Sequence, residues 1–469
     1  MRSRLILAAL IVAVAVAAPA SPGTKIEPGP QLFVAAGPQL FVDDYLIATQ
    51  QGLSRVITPP NRHPVPIVDG VRDHNYQPYM SVIRENGRFR LWYSVKAPLV
   101  PPGPDPGIGR LALGHTTSVD GIHFAKPAKE LAVPAGYQYG ASIVRDSSGY
   151  LMPYFAKAAH TTADEFKGLG FARSPDGLRW TAVSETPMFS PGELGPERAP
   201  GDITSLVRHR GRYLMFVKMN GYGYPGKSRH APVAGYRRLV GVMTSEDGNT
   251  WTLPRRIFAP DDGDSGITEF YGMGGVVERG GLLIGFLRVL RDDLPANTGG
   301  SVEGVGYTVL AWSRDGVQWQ RDRAPFLKRG EPGSWDRAMA WADAQVGDSA
   351  RTLIYYGGYR SGHKTNPLVD RQIGVAVLKR DRYVARSGTG MLTTRPFTHR
   401  GGRLFVNARV GGSLTATVKV GARTVSVCRS GRVDAVKIRL RCDRPLTPGV
   451  ARIVFQLRRA SLYGFEVSR

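Results

Sequence analysis

Four acidic residues stand at the head of stretches that read as β-strand: Asp73 in VRDHNYQPYMSVI, Asp202 in GDITSLV, Glu269 in TEFYGMGGVV and Asp336 in GSWDRAM. Carboxyl groups brought together from separate strands can do paired acid–base work. One protonates a leaving oxygen while another activates water or attacks carbon. Such residues meet only if the elements between them bring them to one place. Asp73 and Asp202 lie 129 positions apart, and Asp202 and Glu269 lie 67 apart, a spacing that suits two structural repeats and then one.

The chain contains that repeat. TTSVDGIHF, ARSPDGLRW, MTSEDGNTW and AWSRDGVQW share Ser-x-Asp-Gly-x-x-aromatic in one register, with Asp120, Asp176, Asp247 and Asp315 at intervals of 56, 71 and 68 residues. Asp-Gly tolerates the positive φ of a tight turn, and the Ser hydroxyl or Asp carboxylate can accept from backbone N–H groups inside it. The aromatic residues that follow (Phe124, Trp180, Trp251 and Trp319) read as packing between adjacent outer strands rather than as a sugar-stacking series.

Around each turn run four short strands, as in ASIVRD, YLMPYFA, GLGFARS and LRWTAV. A fifth set, MAWADAQVGDSARTLIYYGGY with RQIGVAVLKRDRYVA, lacks the Asp-Gly turn. Five such sheets predict a five-bladed β-propeller over residues 38–390. YLMFVKM is apolar on both parities, which suits a strand covered on both faces. PQLFV occurs twice, at Pro30 and Pro38, and the second copy is the expected clasp that closes the last blade. From about residue 391 the pattern turns to strict alternation, with Leu414, Ala416, Val418 and Val420 on one face and Ala451, Ile453, Phe455 and Leu457 in a second strand. This predicts a C-terminal β-sandwich over 391–469.

At the N-terminus Arg2 and Arg4 precede fourteen apolar residues, Leu5 to Ala18, and then APA ending at Ala20. That is the layout of a secretory signal peptide over 1–20, followed by a linker over 21–37, with export and no lasting membrane anchor expected. The two cysteines, Cys428 and Cys442, suit a disulfide in an oxidising compartment, with two separate thiols in neighbouring strands as the alternative. They cannot build a zinc site unaided. The net charge of +24 is spread as single Arg residues without a basic helix, which argues against nucleic acid and leaves acidic glycans as a partner class.

QLFVDDYLI, PPNRHPV, the repeated turns, GSWDRAM, YYGG, IGVAVLKRDRYVA and GMLTTRPFTHRGGRLFVNA together resemble the glycoside hydrolases of the invertase, levansucrase and arabinanase group. The likeness is strongest to family-32-like bacterial glycosyl hydrolases, and it covers nearly all of the chain after the signal segment. The resemblance implies a monomeric hydrolase of an oligo- or polysaccharide, a furanoside or related glycan, with its reaction centre at the propeller axis. It implies no required cofactor, and it admits an axial calcium ion. It further implies Asp73 as base or nucleophile, Asp202 as the residue that orients substrate and tunes the acid, and Glu269 as general acid. Asp336 holds the equivalent position in blade five, and His74, Tyr76, Trp335 and His363 lie in segments able to reach the mouth as substrate-binding residues.

The chain also departs from the group. Trp-x-Asn-Asp-Pro-Asn-Gly is absent, His74 follows Asp73 where Asp-Pro is usual, and Phe270 follows Glu269 where Gly or Cys is usual. Asp69, Asp43 and Asp44 are alternative acids for blade one. Two further readings stay open: a carbohydrate-binding propeller without chemistry, and a glycoside phosphorylase using Arg198, Arg288 and His363 to hold phosphate. A sialidase is disfavoured because its turn reads Ser-x-Asp-x-Gly and no trio of Arg is identifiable in the linear sequence.

Overall fold

The computed structural model describes residues 32–468 apart from 34–35, 71, 74, 97–110, 135, 158–166, 185, 202–203, 230, 232, 297–303 and 364–370, and apart from the side chains of 33, 75–78, 96, 111 and 204. The expected signal segment, His74 and Asp202 lie outside the described residues. Among those described, helix is confined to the single turn Pro191–Leu194, and no helix is long and apolar enough to cross a membrane.

Five antiparallel sheets follow one another along the chain. The first three hold Asn75–Glu85 to Lys129–Leu131, Tyr137–Tyr139 to Thr181–Ala182, and Thr204–His209 to Arg255–Phe258. The fourth runs from Thr268–Arg279 to Gln320–Arg321, and the fifth from Met339–Gly347 to Arg371–Lys379. A parallel contact between Gly306 and Met339 joins the last two into one sheet of eight strands. Side-chain oxygens on the inner strands stitch the blades at the axis. Ser81 Oγ accepts from Ile143 N at 2.7 Å, Ser142 Oγ accepts from Leu206 N at 2.7 Å, and Asp343 Oδ2 accepts from Met80 N at 3.0 Å.

The repeated turns fasten one blade to the previous one. In each, the Ser hydroxyl accepts from the Gly N–H (Ser174 from Gly177 at 2.8 Å, Ser245 from Gly248 at 2.8 Å), and the Asp carboxylate accepts from the next two N–H groups. Gly177 has φ +73°, and an added Cβ would lie 2.9 Å from Arg90 Nη2 and 3.0 Å from Trp92 Cζ2 of blade one. Trp92 Nε1 donates to the Gly177 carbonyl at 2.8 Å, and Tyr355 Oη of blade five donates to the Gly121 carbonyl of blade one at 2.9 Å. The following aromatic residue packs the same way: Trp251 stacks on Phe171, Trp319 meets Phe216 edge-on, and Phe124 meets Tyr355 edge-on. Each large side chain so covered contributes about 1.5–3 kcal/mol. The motif therefore belongs to the frame.

The clasp differs from the expectation. Asn61–Arg62, in the PPNRHPV segment, pairs antiparallel with Arg371–Lys379 and supplies the outer strand of blade five. The Pro38 copy of PQLFV instead gives Gln39–Leu40, which pairs with Gly449–Ser468 in the C-terminal sheet. Leu32–Phe33, from the first copy, pairs with Phe397–His399. Ile47–Ile57 pairs with Val384–Thr394, so this N-terminal stretch is spent on the sandwich before the chain reaches the propeller. The physical reason lies in Phe41, Leu46 and Ile47, which are buried against Phe455 and Phe465 of the sandwich core.

In that core Leu414, Ala416, Val418, Ile453, Phe455 and Leu457 are buried at alternate positions, while Val420 ends its strand exposed before Gly421. Cys428 and Cys442 are cross-strand partners and form a disulfide. Asp43 is taken up by Arg314 of the blade-four turn at 2.8 and 3.0 Å, and Asp44 by Arg386 of the sandwich at 2.6 Å, so both alternative acids serve structural ion pairs.

Candidate active site

The inner strands begin, and the third strands start, at one end of the propeller. There the chain leaves a cavity of about 210 Å³ at the axis. Blade one contributes Tyr79, blade two Tyr139, blade three Lys218, Tyr236 and Arg238, blade four Tyr271, and blade five Trp341, Tyr359 and Arg371, with His363 on the connection between its last two strands. The third strands then run away from the cavity, so each Ser-x-Asp-Gly turn lies at the opposite end.

Bulges aim several of these groups. In Thr268–Arg279 the register steps from Phe270–Val289 to Met273–Leu287, so Tyr271 and Gly272 together face Arg288. A bulge of this kind turns one side chain away from its alternating face. Phe270 goes into the core between blades three and four while Tyr271 joins the axial aromatic cluster. Tyr271 stacks on Trp341 at 4.8 Å and 16°, and the His363 ring meets it edge-on at 4.9 Å. A second bulge sets Asp343 between Ala342 and Ala344, where it accepts from Met80 N and pairs with Arg288 at 3.2 Å. Burial raises the Asp343 carboxyl above its ordinary range despite the Arg288 charge. Arg288 is thereby engaged by Asp343 and does not line the cavity.

Glu269 sits directly behind the wall. It has no exposed surface; its Oε2 accepts from Arg238 N at 3.0 Å and Arg238 Nη1 at 2.8 Å, and its Oε1 accepts from Ser228 Oγ at 2.5 Å. The Ser228 hydroxyl also touches Asp292 Oδ2, and Asp292 Oδ1 lies 4.0 Å from His363 Nδ1. The sequence of groups therefore runs from one wall residue, Arg238, through Glu269, Ser228 and Asp292 to another, His363.

The other expected site residues fall elsewhere. Asp73 closes a turn with Asp69: its carboxylate accepts from Asp69 N at 2.8 Å and is contacted by Arg72 and Lys126. Burial pushes this carboxyl up, but hydrogen bonds from Arg72, Lys126 and Asp69 hold it below its ordinary value overall. Asp336 is buried between Arg62 of the clasp at 3.2 Å, Tyr356 Oη at 2.9 Å and Ser334 Oγ at 2.8 Å. Trp335 stacks on Tyr356 and donates to the Pro64 carbonyl at 3.3 Å. Neither Asp73, Asp336 nor Trp335 lines the cavity, whereas His363 does. Tyr76 lies on the inner strand of blade one, and its side chain is outside the described set, as are His74 and Asp202. Among the described residues no three His, Cys, Asp or Glu gather as metal ligands.

Sequence reasoning missed the aromatic and cationic wall. Its one legible signal was an aromatic residue just after the acid or at the axial end of a strand, in EFYGM and YYGG. The bulge that selects Tyr271 over Phe270 carries no periodic signature.

Fold and site define a five-bladed propeller with an aromatic, cation-bearing axial cavity, joined to a C-terminal sandwich. No family model and no curated protein matches the sequence. Solved structures similar in fold include several glycoside hydrolases and an N-acetylgalactosamine deacetylase. A glycosyl hydrolase from Bacteroides ovatus is 17% identical, with 77% of this chain and 98% of that one covered at a TM-score of 0.45. A family 43 arabinoxylan arabinofuranohydrolase from Bacillus subtilis is 12% identical, with 86% and 99% covered at 0.43. A family 32 β-fructofuranosidase from Bombyx mori is 13% identical, with 88% and 95% covered at 0.41. These identities are too low to carry residue roles across, so the chemistry rests on the side chains present.

Proposed function

We propose that the protein is an exported glycoside hydrolase acting on a furanoside or related glycan in the axial cavity. The observation that carries this reading is Ser228 Oγ lying between Glu269 Oε1 and Asp292 Oδ2. A hydroxyl has one hydrogen to donate, and an ionised carboxylate only accepts. In this scheme the two carboxyls share one proton through the hydroxyl. Arg238 pairs with Glu269 on one side of this contact, and Asp292 lies next to His363 on the other. His363 would then protonate the glycosidic oxygen from the wall and be reprotonated from Asp292. Asp202 is the base in this scheme. Glu269, buried and committed to Arg238, serves the relay from behind the wall rather than as the acid that meets substrate.

Release of reducing sugar from arabinans, fructans, mannosides and acidic polysaccharides tests the reading, with His363→Asn and Asp202→Asn beside the native chain. Each variant should lose at least about a hundredfold in kcat, the lower end of general acid–base contributions. Full activity in both ends the assignment. A second reading, binding without turnover, is favoured by the complete burial of Glu269 and its commitment to Arg238. Binding of any of these glycans with no release of sugar would establish it instead.

A further inference from the structure

The C-terminal span 391–469 holds sixteen Lys or Arg against three Asp or Glu, a net +13 of the chain's +24. Its strands decide where that charge points. Arg403–Val420 pairs with Gly449–Ser468 on one side and with Arg423–Ser430 on the other, and Arg441–Cys442 extends the sheet beyond Arg423–Ser430. Leu414, Ala416, Val418, Ile453, Phe455 and Cys428 fill the core, so the residues alternating with them face outward. On this outer face Arg429 stands directly opposite Arg441, and Lys419 directly opposite Arg452. Side chains so placed have Cβ atoms about 4.5–5.5 Å apart, and like charges there destabilise a sheet. Among the described residues no carboxylate forms an ion pair with any of these four cations, because the acids of the span are engaged elsewhere. Asp434 is taken by Lys379 and Arg382 at 2.6 Å each and Glu466 by Lys437 at 3.4 Å, while Asp443 accepts from Val427 N at 2.8 Å and Ser426 Oγ at 3.0 Å.

We infer that this outer face of the sandwich binds an acidic polysaccharide, its carboxylates over the two like-charged pairs and its hydroxyls against the neutral groups beside them. Thr415 is the cross-strand partner of Arg429, and Lys419 lies further along the same strand, about 14 Å away at roughly 3.4 Å per residue. Thr415, Thr417 and Gln456, the partner of Thr415, share that face and offer hydrogen bonds to hydroxyls. Arg429, Arg441, Arg452 and Gln456 are exposed, and Lys419, Thr415 and Thr417 partly so. An extended polymer lying along the strands meets both pairs at once and supplies the counter-charge they lack. A guanidinium presents a planar fork that matches a carboxylate in two parallel hydrogen bonds. Among the described residues none on this part of the face is aromatic, so the stacking platform that single-stranded nucleic acid uses is missing. The Cys428–Cys442 disulfide joins the strands that carry Arg429 and Arg441 and keeps these cations side by side against their repulsion. None of these residues lines the axial cavity, so the inference stands whether or not the propeller hydrolyses what is bound.

Binding of the full chain to immobilised polygalacturonate, beside the fully methyl-esterified polymer, tests the inference. At about 0.15 M salt, charges more than about 8 Å apart are largely screened, so only cations that meet the polymer count. The acid should bind at least about tenfold more tightly than its ester, the scale of one charge-assisted hydrogen bond. Arg429→Gln, Arg441→Gln, Lys419→Gln and Arg452→Gln combined should erase that preference and leave the thermal midpoint unchanged or raised, because repulsion is removed. Arg88, Arg210, Arg255 and Arg256 are exposed on the propeller and serve as the control. Replacing them by Gln removes the same charge and should leave binding intact. Equal binding of acid and ester, an acid preference that survives in the sandwich variant, or an equal loss in the control variant would each overturn the inference. Tighter binding to duplex DNA or to phosphatidylglycerol vesicles than to the acidic polymer would overturn it too.

Discussion

Replacing Glu269 by Gln keeps the shape of a side chain that has no exposed surface and removes its charge. Arg238, only 4% exposed, then keeps its guanidinium without the anion that lies 2.8 Å away. Breaking a buried pair by removing one partner costs about 3–5 kcal/mol. Gln still offers an oxygen to Arg238 N and Nη1, which places the expected loss at the lower end, about 3 kcal/mol. Arg238→Met removes the cation and leaves an apolar stem of similar length. In the double variant the stranded charge is gone, so the losses should not add. A coupling of about 2–3 kcal/mol is expected, well beyond the roughly 0.3–0.5 kcal/mol scatter of independent sites. Urea unfolding followed by tryptophan fluorescence measures it, with Trp341 reporting from the cavity wall. Additive losses would refute the view that Glu269 acts by holding Arg238.

Three further outcomes follow from the same structure. Gly177→Ala should destabilise the propeller by at least about 1–2 kcal/mol, because φ is +73° and the new methyl would press on Arg90 and Trp92 across the blade contact; chemical denaturation would detect it. Cys428→Ala with Cys442→Ala should cost about 3 kcal/mol, the chain-entropy scale for a loop of this length, with the loss confined to the sandwich in hydrogen exchange. Burial, with Arg90 and Lys129 nearby, lowers His115 from 6.5 to about 4. The unfolded chain therefore takes up this proton first, and stability should fall as pH drops from about 6.5 towards 4. His115→Asn should flatten that part of the profile, and an unchanged slope would show that His115 does not set it.

The strands, their turns and their grouping into five blades were legible in the sequence because each is a local pattern. Ser-x-Asp-Gly makes its own hydrogen bonds within a few residues, and the aromatic residue that follows keeps one register in four copies. The alternation of Leu414, Ala416 and Val418 marked a half-buried strand for the same reason, and Cys428 and Cys442 were near enough to pair. The acids at the strand heads could be counted, but their fates were decided by distant partners. Asp336 is held by Arg62 of the clasp and Asp73 by Lys126, while Glu269 is enclosed by Ser228, 41 residues away, and Arg238, 31 residues away. The register step at Tyr271 and Gly272 decided which aromatic side chain faces the axis. Closure of the ring then gathered Lys218, Arg238 and Arg371 from two blades into one wall. Local backbone preference fixes turns and strand periodicity within a few residues, whereas the partner of a buried charge is whichever group the closed propeller brings against it.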